Sequence, residues 1–259
     1  MLSIIIVSYN ACADLERCLE SLRAAPPRID HEILVVDNGS TDASVAVARA
    51  RSDVRVIENR TNVGFAAANN VGIRASRGDL LLLLNSDTVV PAGALDRLVA
   101  ELMADASAAV AGPRLVDAAG RAELSFGPMI SPLNEWRQKR RRRDAAAVER
   151  LTRRRAYPDW VSGACLLVRR ADADAVGLLD ERFFMYTEDV DFCAAIRARG
   201  RRILFAPAAE VVHLRGRSAA SAPAATNRAY RQSQLAFYRK HHPVWAPLLT
   251  AYLRVRGEA

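Results

Sequence analysis

The stretch Leu80-Leu-Leu-Leu-Leu-Asn-Ser-Asp87 decides how this chain folds. Its five consecutive leucines are typical of a strand that is buried on both faces, and three polar residues, Asn85, Ser86 and Asp87, follow directly. In an open α/β sheet, ligands bind outside the carboxyl ends of the strands. A carboxylate there costs free energy unless a partner or a cation compensates its charge. The stretch therefore predicts an α/β sheet with a metal-binding nucleotide site at this strand end.

Apolar strands and amphipathic helices alternate on the amino-terminal side of this stretch. The hydrophobic periodicity predicts strands at 3–8, 32–36, 54–57 and 80–84, and helices at 11–24, 42–51 and 65–75. A further helix opens at Pro91 and runs to about Met103, followed by a short strand near Ala109. Repetition of strand, helix and strand favours a parallel sheet with right-handed crossovers.

The pattern becomes less regular after Pro113. We predict a strand at 161–168, a helix at 188–199 that Gly200 caps, and short strands around 203 and 211. The carboxyl-terminal stretch 223–256 mixes helical segments with aromatic and basic residues. It either packs on the domain or lies on a membrane, and packing is the favoured interpretation.

Length and composition restrict the class of protein. A chain of 259 residues is long enough for one large α/β domain, which we favour over two small ones. The spacing of Cys12, Cys18, Cys165 and Cys193 indicates neither a zinc site nor a disulfide framework, so reduced packing cysteines are expected. With no basic leader and no apolar run near the roughly 18 residues of a spanning helix, the sequence predicts a cytoplasmic protein.

The positive charge is concentrated in one block. Residues 136–155 hold ten basic and two acidic residues, a net charge of +8 that equals the formal net charge of the whole chain. The block is either a solvated helix and loop face or a surface that meets anionic lipid headgroups or diphosphates. Because it lacks interleaved aromatic residues and a nucleic-acid-binding motif, no nucleic-acid partner is expected. Peripheral contact with an anionic membrane through 137–155 is a hypothesis.

Polar loops also follow the first two predicted strands. Ser8-Tyr9-Asn10 ends the first strand, and Asp37-Asn38-Gly39-Ser40-Thr41-Asp42 ends the second. Turns and helix N-caps would explain these residues without any ligand. A third loop, Asn62-Val-Gly-Phe-Ala-Ala-Ala-Asn69, contains a glycine that allows close backbone approach before a helix N-terminus. Three such loops in succession favour convergence on one nucleotide.

Seven stretches, in this order, resemble the family 2 glycosyltransferases of the GT-A fold, and most of all their rhamnosyltransferase-type branch. They are SIIIVSYN at 3–10, ILVVDNGSTD at 33–42, NVGFAAANNVGI at 62–73, LLLLNSDTVV at 81–90, VSGACLLVRR at 161–170, FFMYTEDVDFC at 183–193 and VVHLRGRS at 211–218. The resemblance implies a Rossmann-like, mostly parallel central sheet with flanking helices and an irregular acceptor-side half. It implies one domain at 1–222, with a nucleotide-sugar-binding half at 1–112 and an acceptor half at 113–222, before a helical tail at 223–259.

The resemblance also implies roles for single residues. A nucleoside-diphosphate sugar would be held by residues of the polar loops, which are Ser8, Tyr9, Asn10, Asp37, Asn38, Asn62, Gly64, Asn69, Asn85 and Ser86. Asp87 would bind a divalent metal, Mg²⁺ or Mn²⁺, that bridges the donor diphosphate, and Asn85 replaces the first carboxylate of the fuller Asp-x-Asp pattern. His213 resembles the second protein ligand, although a lone histidine is otherwise best explained as a packing residue.

Thr187-Glu188-Asp189 opens a predicted helix, where acidic residues also suit the helix dipole. The resemblance implies that Asp189 removes the proton from the acceptor hydroxyl, with Glu188 as a positioning group or a less favoured base. Asp191 would support this site, and Arg215 or Arg217 would reach the diphosphate. Trp160 is either core or a platform beneath a sugar.

The predicted function is inverting, metal-dependent sugar transfer. The donor would be a deoxythymidine or uridine diphosphate sugar, with rhamnose the first candidate. The acceptor would be a glycan or a lipid-linked hydroxyl at the inner face of the membrane, in cell-surface polysaccharide synthesis. The chain has no P-loop, no GxGxxG motif and no glycine-rich, arginine-containing loop of a sugar nucleotidyltransferase. A non-catalytic nucleotide-sugar-binding or membrane-associated module remains the alternative, and the sequence makes no prediction of oligomeric state.

Overall fold

The computed structural model describes residues 1–214 and 223–256, with the side chains of 223–225 left aside. Its strands are β1 (Leu2–Ser8), β2 (His31–Asp37), β3 (Val54–Glu58), β4 (Leu80–Asn85), β5 (Thr88–Val89), β6 (Ala108–Val116), β7 (Phe126–Gly127), β8 (Trp160–Val161), β9 (Cys165–Arg169) and β10 (Arg202–His213). Its helices are α1 (Cys12–Ala24), α2 (Ser44–Arg49), α3 (Phe65–Ala75), α4 (Ala94–Met103), α5 (Pro132–Arg142), α6 (Ala145–Thr152), α7 (Arg170–Ala175), α8 (Glu188–Ala198), α9 (Pro223–His241) and α10 (Ala246–Val255).

One large sheet runs in the order β3-β2-β1-β4-β9-β6-β10-β5. The first four of these strands are parallel, and Ile5 in β1 pairs with Leu34 on one side and Leu83 on the other. Strand β9 is inserted antiparallel between β4 and β6, while β6 and β10 are again parallel. The predicted α/β fold with a mostly parallel sheet is confirmed.

The leucine stretch lies at the centre of this sheet and is buried on both faces. Leu80, Leu82 and Leu84 belong to one apolar core, whereas Leu81 and Leu83 belong to the other. Side chains of the carboxyl-terminal helices, among them Phe237 and Ala246, join the second core. The carboxyl-terminal stretch therefore packs on the sheet domain, as favoured from the sequence.

The boundaries differ from the predictions where glycine or an irregular backbone intervenes. Helix α4 begins at Ala94 rather than at Pro91, because Gly93 takes a left-handed conformation with φ of 72°. The strand predicted at 161–168 is divided into β8 and β9, and the two short strands predicted around 203 and 211 form the single strand β10. Strand β10 has a register shift between Ala206 and Glu210.

Most of the basic block lies in the helices α5 and α6. Ser131 and Asp144 cap these two helices through their side-chain oxygens. Within residues 1–214 and 223–256, none of the helices combines the length and the apolar character that crossing a bilayer requires.

Candidate active site

Asp87 and His213 meet at the edge of the sheet. The short strand β5 pairs antiparallel with the end of β10, so that Thr88 lies opposite His213. The backbone N–H of Leu214 donates to the carbonyl of Asp87 at 2.8 Å. This pairing holds Asp87 Oδ1 3.3 Å from His213 Nε2.

Glu123 completes this arrangement from the loop between β6 and β7. Its Oε2 lies 3.3 Å from Nδ1 of His213, and its side chain is buried. Burial lowers the pKa of His213, but hydrogen bonds to Asp87 and Glu123 outweigh it and raise the pKa to about 9. Sequence reasoning missed Glu123, because nothing in the surrounding residues marks it as part of a motif.

The donor set at this edge fits a hard divalent cation. Asp87 offers carboxylate oxygen and His213 offers imidazole nitrogen, a combination that Mn²⁺ accepts. Close by, Asn85 has a buried Oδ1 that lacks a hydrogen-bond partner in the described part of the chain. The described residues contain no cluster of three or more His, Cys, Asp or Glu side chains able to hold a metal. A cation at this edge would therefore take further ligands from the substrate and water.

The loops after β1 and β2 are linked to each other. Asn10 Oδ1 accepts a hydrogen bond from the backbone N–H of Thr41 at 2.8 Å, and the N–H of Asn10 donates to Ser40 Oγ at 2.9 Å. Asp37 Oδ2 accepts from the N–H of Ser40 at 2.8 Å. These hydrogen bonds join the two loops; that they converge on one nucleotide stays a prediction.

Two buried oxygens in these loops have no hydrogen-bond partner among the described residues. They are Ser8 Oγ and Asp37 Oδ1, on residues that pair directly in the register of β1 and β2. Tyr9 follows Ser8 and is 49% exposed. Buried polar atoms of this kind are normally satisfied, so their combination with an exposed aromatic ring suits a polar, planar ligand.

The amide side chains of Asn38 and Asn62 hold the third loop in shape. Asn38 Nδ2 donates to Asn62 Oδ1 at 2.8 Å, and the N–H of Gly64 donates to the same oxygen at 3.0 Å. Asn69 is buried in α3, where its Nδ2 donates to the carbonyl of Phe65 at 2.9 Å. Asn69 Oδ1 has no partner among the described residues.

The space beside Gly64 is occupied by the backbone of Phe184. Gly64 has φ of +89°, and a Cβ added there would lie 2.5 Å from the carbonyl oxygen of Phe184. That oxygen accepts from the N–H of Phe65 at 2.6 Å. The N–H of Phe65 at the start of α3 is therefore bound by Phe184 rather than being available to a ligand.

Asp189 and Glu188 begin α8 after a strained turn. Tyr186 and Thr187 both have positive φ, 73° and 63°, which is costly for residues other than glycine. Asp189 Oδ2 accepts from the N–H of Gly163 at 2.8 Å. Gly163 lies in the turn that divides β8 from β9, which accounts for the interrupted strand.

Both carboxyl groups are harder to ionise than usual. Burial raises the pKa of Asp189 and outweighs the hydrogen bonds from the N–H groups of Gly163 and Val190. Burial, and next the charge of Asp189, place the pKa of Glu188 well above its ordinary value. Glu188 Oε2 is buried and has no partner in the described part of the chain.

One cavity of about 1350 Å³ joins these groups. The predicted site residues that line it are Asn85, Asp87, Glu188, Asp189 and His213. Phe65 of the third loop lines it as well. The residues predicted to hold the nucleotide that do not line it are Ser8, Tyr9, Asn10, Asp37, Asn38, Asn62, Gly64, Asn69 and Ser86. The loops are nonetheless neighbours of the cavity, since Val7, just before Ser8, pairs with Asn85 in the sheet. Helices α5, α9 and α10 form the far wall.

Three further sequence predictions concern supporting residues. The side chain of Trp160 is buried in the core and also lines the cavity. Its Nε1 donates to the carbonyl of Pro128 at 2.9 Å. Asp191 is buried and accepts from Lys240 Nζ at 2.8 Å and pairs with His241 Nε2 at 2.6 Å, so it fastens α8 to α9. Arg215 and Arg217 lie outside the described residues.

Comparison with known proteins agrees with this geometry. The model of the family named Glycosyl transferase family 2 matches residues 3–160. A Mycobacterium tuberculosis protein, N-acetylglucosaminyl-diphospho-decaprenol L-rhamnosyltransferase, is 31% identical over 277 residues in strains CDC 1551 and H37Rv. The match covers 96% of this chain and 88% of that protein.

Solved structures share the fold. The mannosyltransferase PcManGT from Pyrobaculum calidifontis, in complex with GDP-Man and Mn²⁺, has a TM-score of 0.66 at 19% identity, covering 97% of this chain and 68% of that one. GalNAc-T7 with UDP, GalNAc and Mn²⁺ has a TM-score of 0.63 at 20% identity, covering 82% of this chain and 43% of that one. At these identities the two structures establish the fold alone, and the predicted GT-A fold is confirmed.

Proposed function

Since this chain belongs to glycosyl transferase family 2 and is a glycosyltransferase, we propose that it transfers a sugar with inversion of configuration, using a divalent metal and a nucleoside-diphosphate sugar donor. The observation that carries this proposal is that one cavity contains Asp87 and His213 together with Asp189. A metal site that holds a leaving diphosphate and a base that activates an attacking hydroxyl are the two groups a single displacement requires.

Asp189 acts as the base. Gly163 N–H donates to one carboxylate oxygen and Val190 N–H to the other, which orients the group at the cavity wall. Asp189 accepts two backbone N–H hydrogen bonds, whereas Glu188 Oε2 has no partner in the described part of the chain, so Asp189 is the member of the pair that carries the negative charge and accepts the proton of the acceptor hydroxyl. Glu188 thereby has a positioning role.

Asp87 and His213 hold the cation, either Mg²⁺ or Mn²⁺. Glu123 binds the second ring nitrogen of His213 and orients the imidazole, as carboxylates behind metal-bound histidines commonly do. When bound, the cation neutralises charge that develops on the departing diphosphate.

The nucleoside of the donor is recognised by the linked loops after β1 and β2. Asp37 Oδ1 and Ser8 Oγ offer unsatisfied polar atoms for a base or ribose, and Tyr9 offers an aromatic face. Similarity to the mycobacterial L-rhamnosyltransferase supports rhamnose as the sugar. The proposed carrier is deoxythymidine diphosphate, on the resemblance to the rhamnosyltransferase-type branch alone, with uridine diphosphate sugars as the next candidates.

The acceptor is a lipid-linked sugar, as the name of the same relative supports. The proposed pathway is cell-surface polysaccharide synthesis. The enzyme would meet this acceptor at the inner face of the membrane. Exposed apolar side chains line the cavity on two elements, Trp136 in α5 and Trp245 and Leu248 at α10. Leu133 in α5 is exposed as well. Together with the cations of 137–155, they suit peripheral contact with an anionic bilayer.

Calorimetry of TDP, UDP and GDP, with and without Mn²⁺, tests the proposed function. We expect metal-dependent binding of one nucleotide, weakened in Asp87→Asn and in His213→Ala. Asp79→Asn is a matched control, because Asp79 is exposed and directly precedes β4, at the other end of that strand from Asp87. Absence of binding to every nucleotide would refute the proposal in favour of a non-catalytic module.

A further inference from the structure

Two residues of α5, Glu135 and Gln138, hold one face of this helix toward the cavity. Glu135 accepts hydrogen bonds from Tyr238 Oη and, at 2.8 Å, from Gln234 Nε2, both in α9. Gln138 donates to the carbonyl of Phe126 in β7 at 3.1 Å. Because both residues are held, the rotation of the helix about its own axis is fixed.

This rotation turns two cations of α5 into the cavity, and Arg143, the residue after the helix, lines it as well. Lys139 and Arg142 follow Glu135 at i+4 and i+7, which places them on the same face of the helix, and both line the cavity. Arg137 and Arg141 belong to the other side of α5 and are not among the cavity-lining residues. The basic block therefore has an inner face and an outer face.

Arg142 is close enough to influence the proposed base. Burial is the largest influence on the pKa of Asp189 and raises it, while the positive charge of Arg142 acts in the opposite direction. Arg142 has the same opposing effect on Tyr230, a cavity residue whose pKa is raised mainly by burial. A guanidinium thus lies within electrostatic range of the point where the acceptor hydroxyl must be held.

A lipid-linked acceptor that carries a diphosphate requires a cation such as the Arg142 guanidinium in the cavity. In an acceptor with a single sugar on the diphosphate, such as the name of the mycobacterial relative describes, the attacking hydroxyl and the diphosphate belong to the same sugar residue. When the hydroxyl is at Asp189, the diphosphate lies about one sugar ring away. Its charge would be repelled by the acidic residues of the cavity unless cations compensate it.

We propose that Lys139 and Arg142 form a subsite for the diphosphate of a lipid-linked acceptor, on the inner face of α5. The subsite rests on the proposed function, since it presumes that the cavity receives such an acceptor. Arginine pairs with phosphate oxygens through two parallel N–H donors, and lysine adds a mobile point charge. The outer-face cations, among them Arg137 and Arg141, are not part of it.

Acceptor kinetics in detergent-free solution test this subsite in Arg142→Gln, with Arg141→Gln as the matched control. The two changes remove the same charge from neighbouring positions of one helix. With a water-soluble, short-chain diphosphate-linked acceptor, we expect Arg142→Gln to raise KM about tenfold or more. With a neutral alkyl glycoside of the same sugar, KM should stay unchanged. Arg141→Gln should behave as wild type with both acceptors.

Binding of inorganic pyrophosphate, measured by calorimetry without divalent metal, gives a readout that does not require turnover. Wild type and Arg141→Gln should bind it equally, and Arg142→Gln about tenfold more weakly. Equal binding by the two variants would overturn the subsite. So would a loss of nucleoside diphosphate affinity in Arg142→Gln without a change in acceptor KM, because the cation would then serve the donor.

Failure of the proposed function has a different signature. Wild type would then transfer no sugar to the neutral acceptor and bind no nucleotide. The subsite alone fails if wild type transfers to both acceptors and Arg142→Gln raises both KM values equally. That result would assign Arg142 a structural role.

Discussion

His213 Nε2 lies 3.3 Å from Asp87 Oδ1, at the point where the edge strand β5 meets the end of β10. The two residues come from opposite halves of the sequence, and the pairing of Thr88 with His213 holds them together. The proposed metal site would depend on strand register rather than on a contiguous motif. Glu123, on the far nitrogen of the ring, fixes the orientation of the imidazole.

Replacing Glu123 tests this orienting role. We expect Glu123→Gln to weaken Mn²⁺-dependent nucleotide binding about tenfold, since loss of a carboxylate behind a metal-bound histidine typically costs about 10–100-fold in metal affinity. Calorimetric titration of Mn²⁺ in the presence of nucleotide measures the change. Glu16→Gln, an exposed substitution in α1, serves as control. Unchanged Mn²⁺ affinity in Glu123→Gln would remove Glu123 from the site.

Asp189→Asn should separate catalysis from binding. The amide can still accept from Gly163 N–H but cannot take a proton, so kcat should fall by about 10²–10⁴. Nucleotide affinity should stay within about twofold of wild type, since Asp189 belongs to a different part of the cavity from Asp87. Transfer assays and calorimetry on the same preparation measure both quantities. A variant that retains full kcat would show that another group is the base.

The pH profile should report the ionisation of Asp189. Burial raises the pKa of Asp189, and the base works only when ionised, so activity should be lost as pH falls through a pKa above the ordinary aspartate range of about 4. Arg142 opposes this rise, and Arg142→Gln should therefore move the acidic limb to higher pH. Arg141→Gln should leave it in place. A limb that shifts equally in both variants would contradict the assignment.

Gly64 should be irreplaceable for stability. Gly64 and Gly120 both have positive φ, but an added Cβ at Gly64 meets the Phe184 carbonyl at 2.5 Å, whereas at Gly120 it meets nothing within 4 Å. Gly120→Ala should cost about 1–2 kcal/mol from backbone conformation alone, and Gly64→Ala clearly more. Urea unfolding of both variants measures the difference. Equal losses would mean that the loop relaxes freely away from Phe184.

If the enzyme contacts an anionic membrane, its binding to lipid vesicles should depend on both the basic and the exposed apolar side chains. Wild type should bind vesicles that contain anionic lipid and should bind neutral vesicles weakly. Arg140→Gln with Arg141→Gln, and separately Trp245→Ser, should each reduce binding to anionic vesicles in a flotation assay. The acidic-to-neutral change Asp79→Asn is the control. Equal binding of wild type to anionic and neutral vesicles would count against this surface.

Much of the parallel half of the fold could be predicted from the sequence. The leucine stretch and its neighbouring strands are apolar without interruption, and helix periodicity separates them, so local pattern and tertiary position agree. Helix α3 was predicted with its observed limits, 65–75. Strand β10 was harder, because its register shift near Ala206–Glu210 gives the appearance of two short strands.

Only some of the candidate site residues could be found from the sequence, because the others depend on long-range contacts. Asp87, His213 and Asp189 lie in stretches that resemble a known family, and their roles here remain proposals. Glu123 and Arg142 lie outside those stretches, and their positions depend on how the second half of the chain folds over the sheet. Gly64 was predicted to allow close backbone approach, and the backbone that approaches it in the structure is that of Phe184. Such long-range contacts leave no local pattern in a sequence.

Transfer by wild type and by Asp189→Asn, followed by NMR of the product, tests the central claim most directly. The reaction would contain Mn²⁺, the deoxythymidine diphosphate rhamnose donor of the proposed function and a lipid-linked acceptor. If Asp189 is the base of an inverting transfer, wild type should form a product whose anomeric configuration is opposite to that of the donor. Asp189→Asn should form much less of it. A product with retained configuration, or equal rates for the two proteins, would contradict this claim.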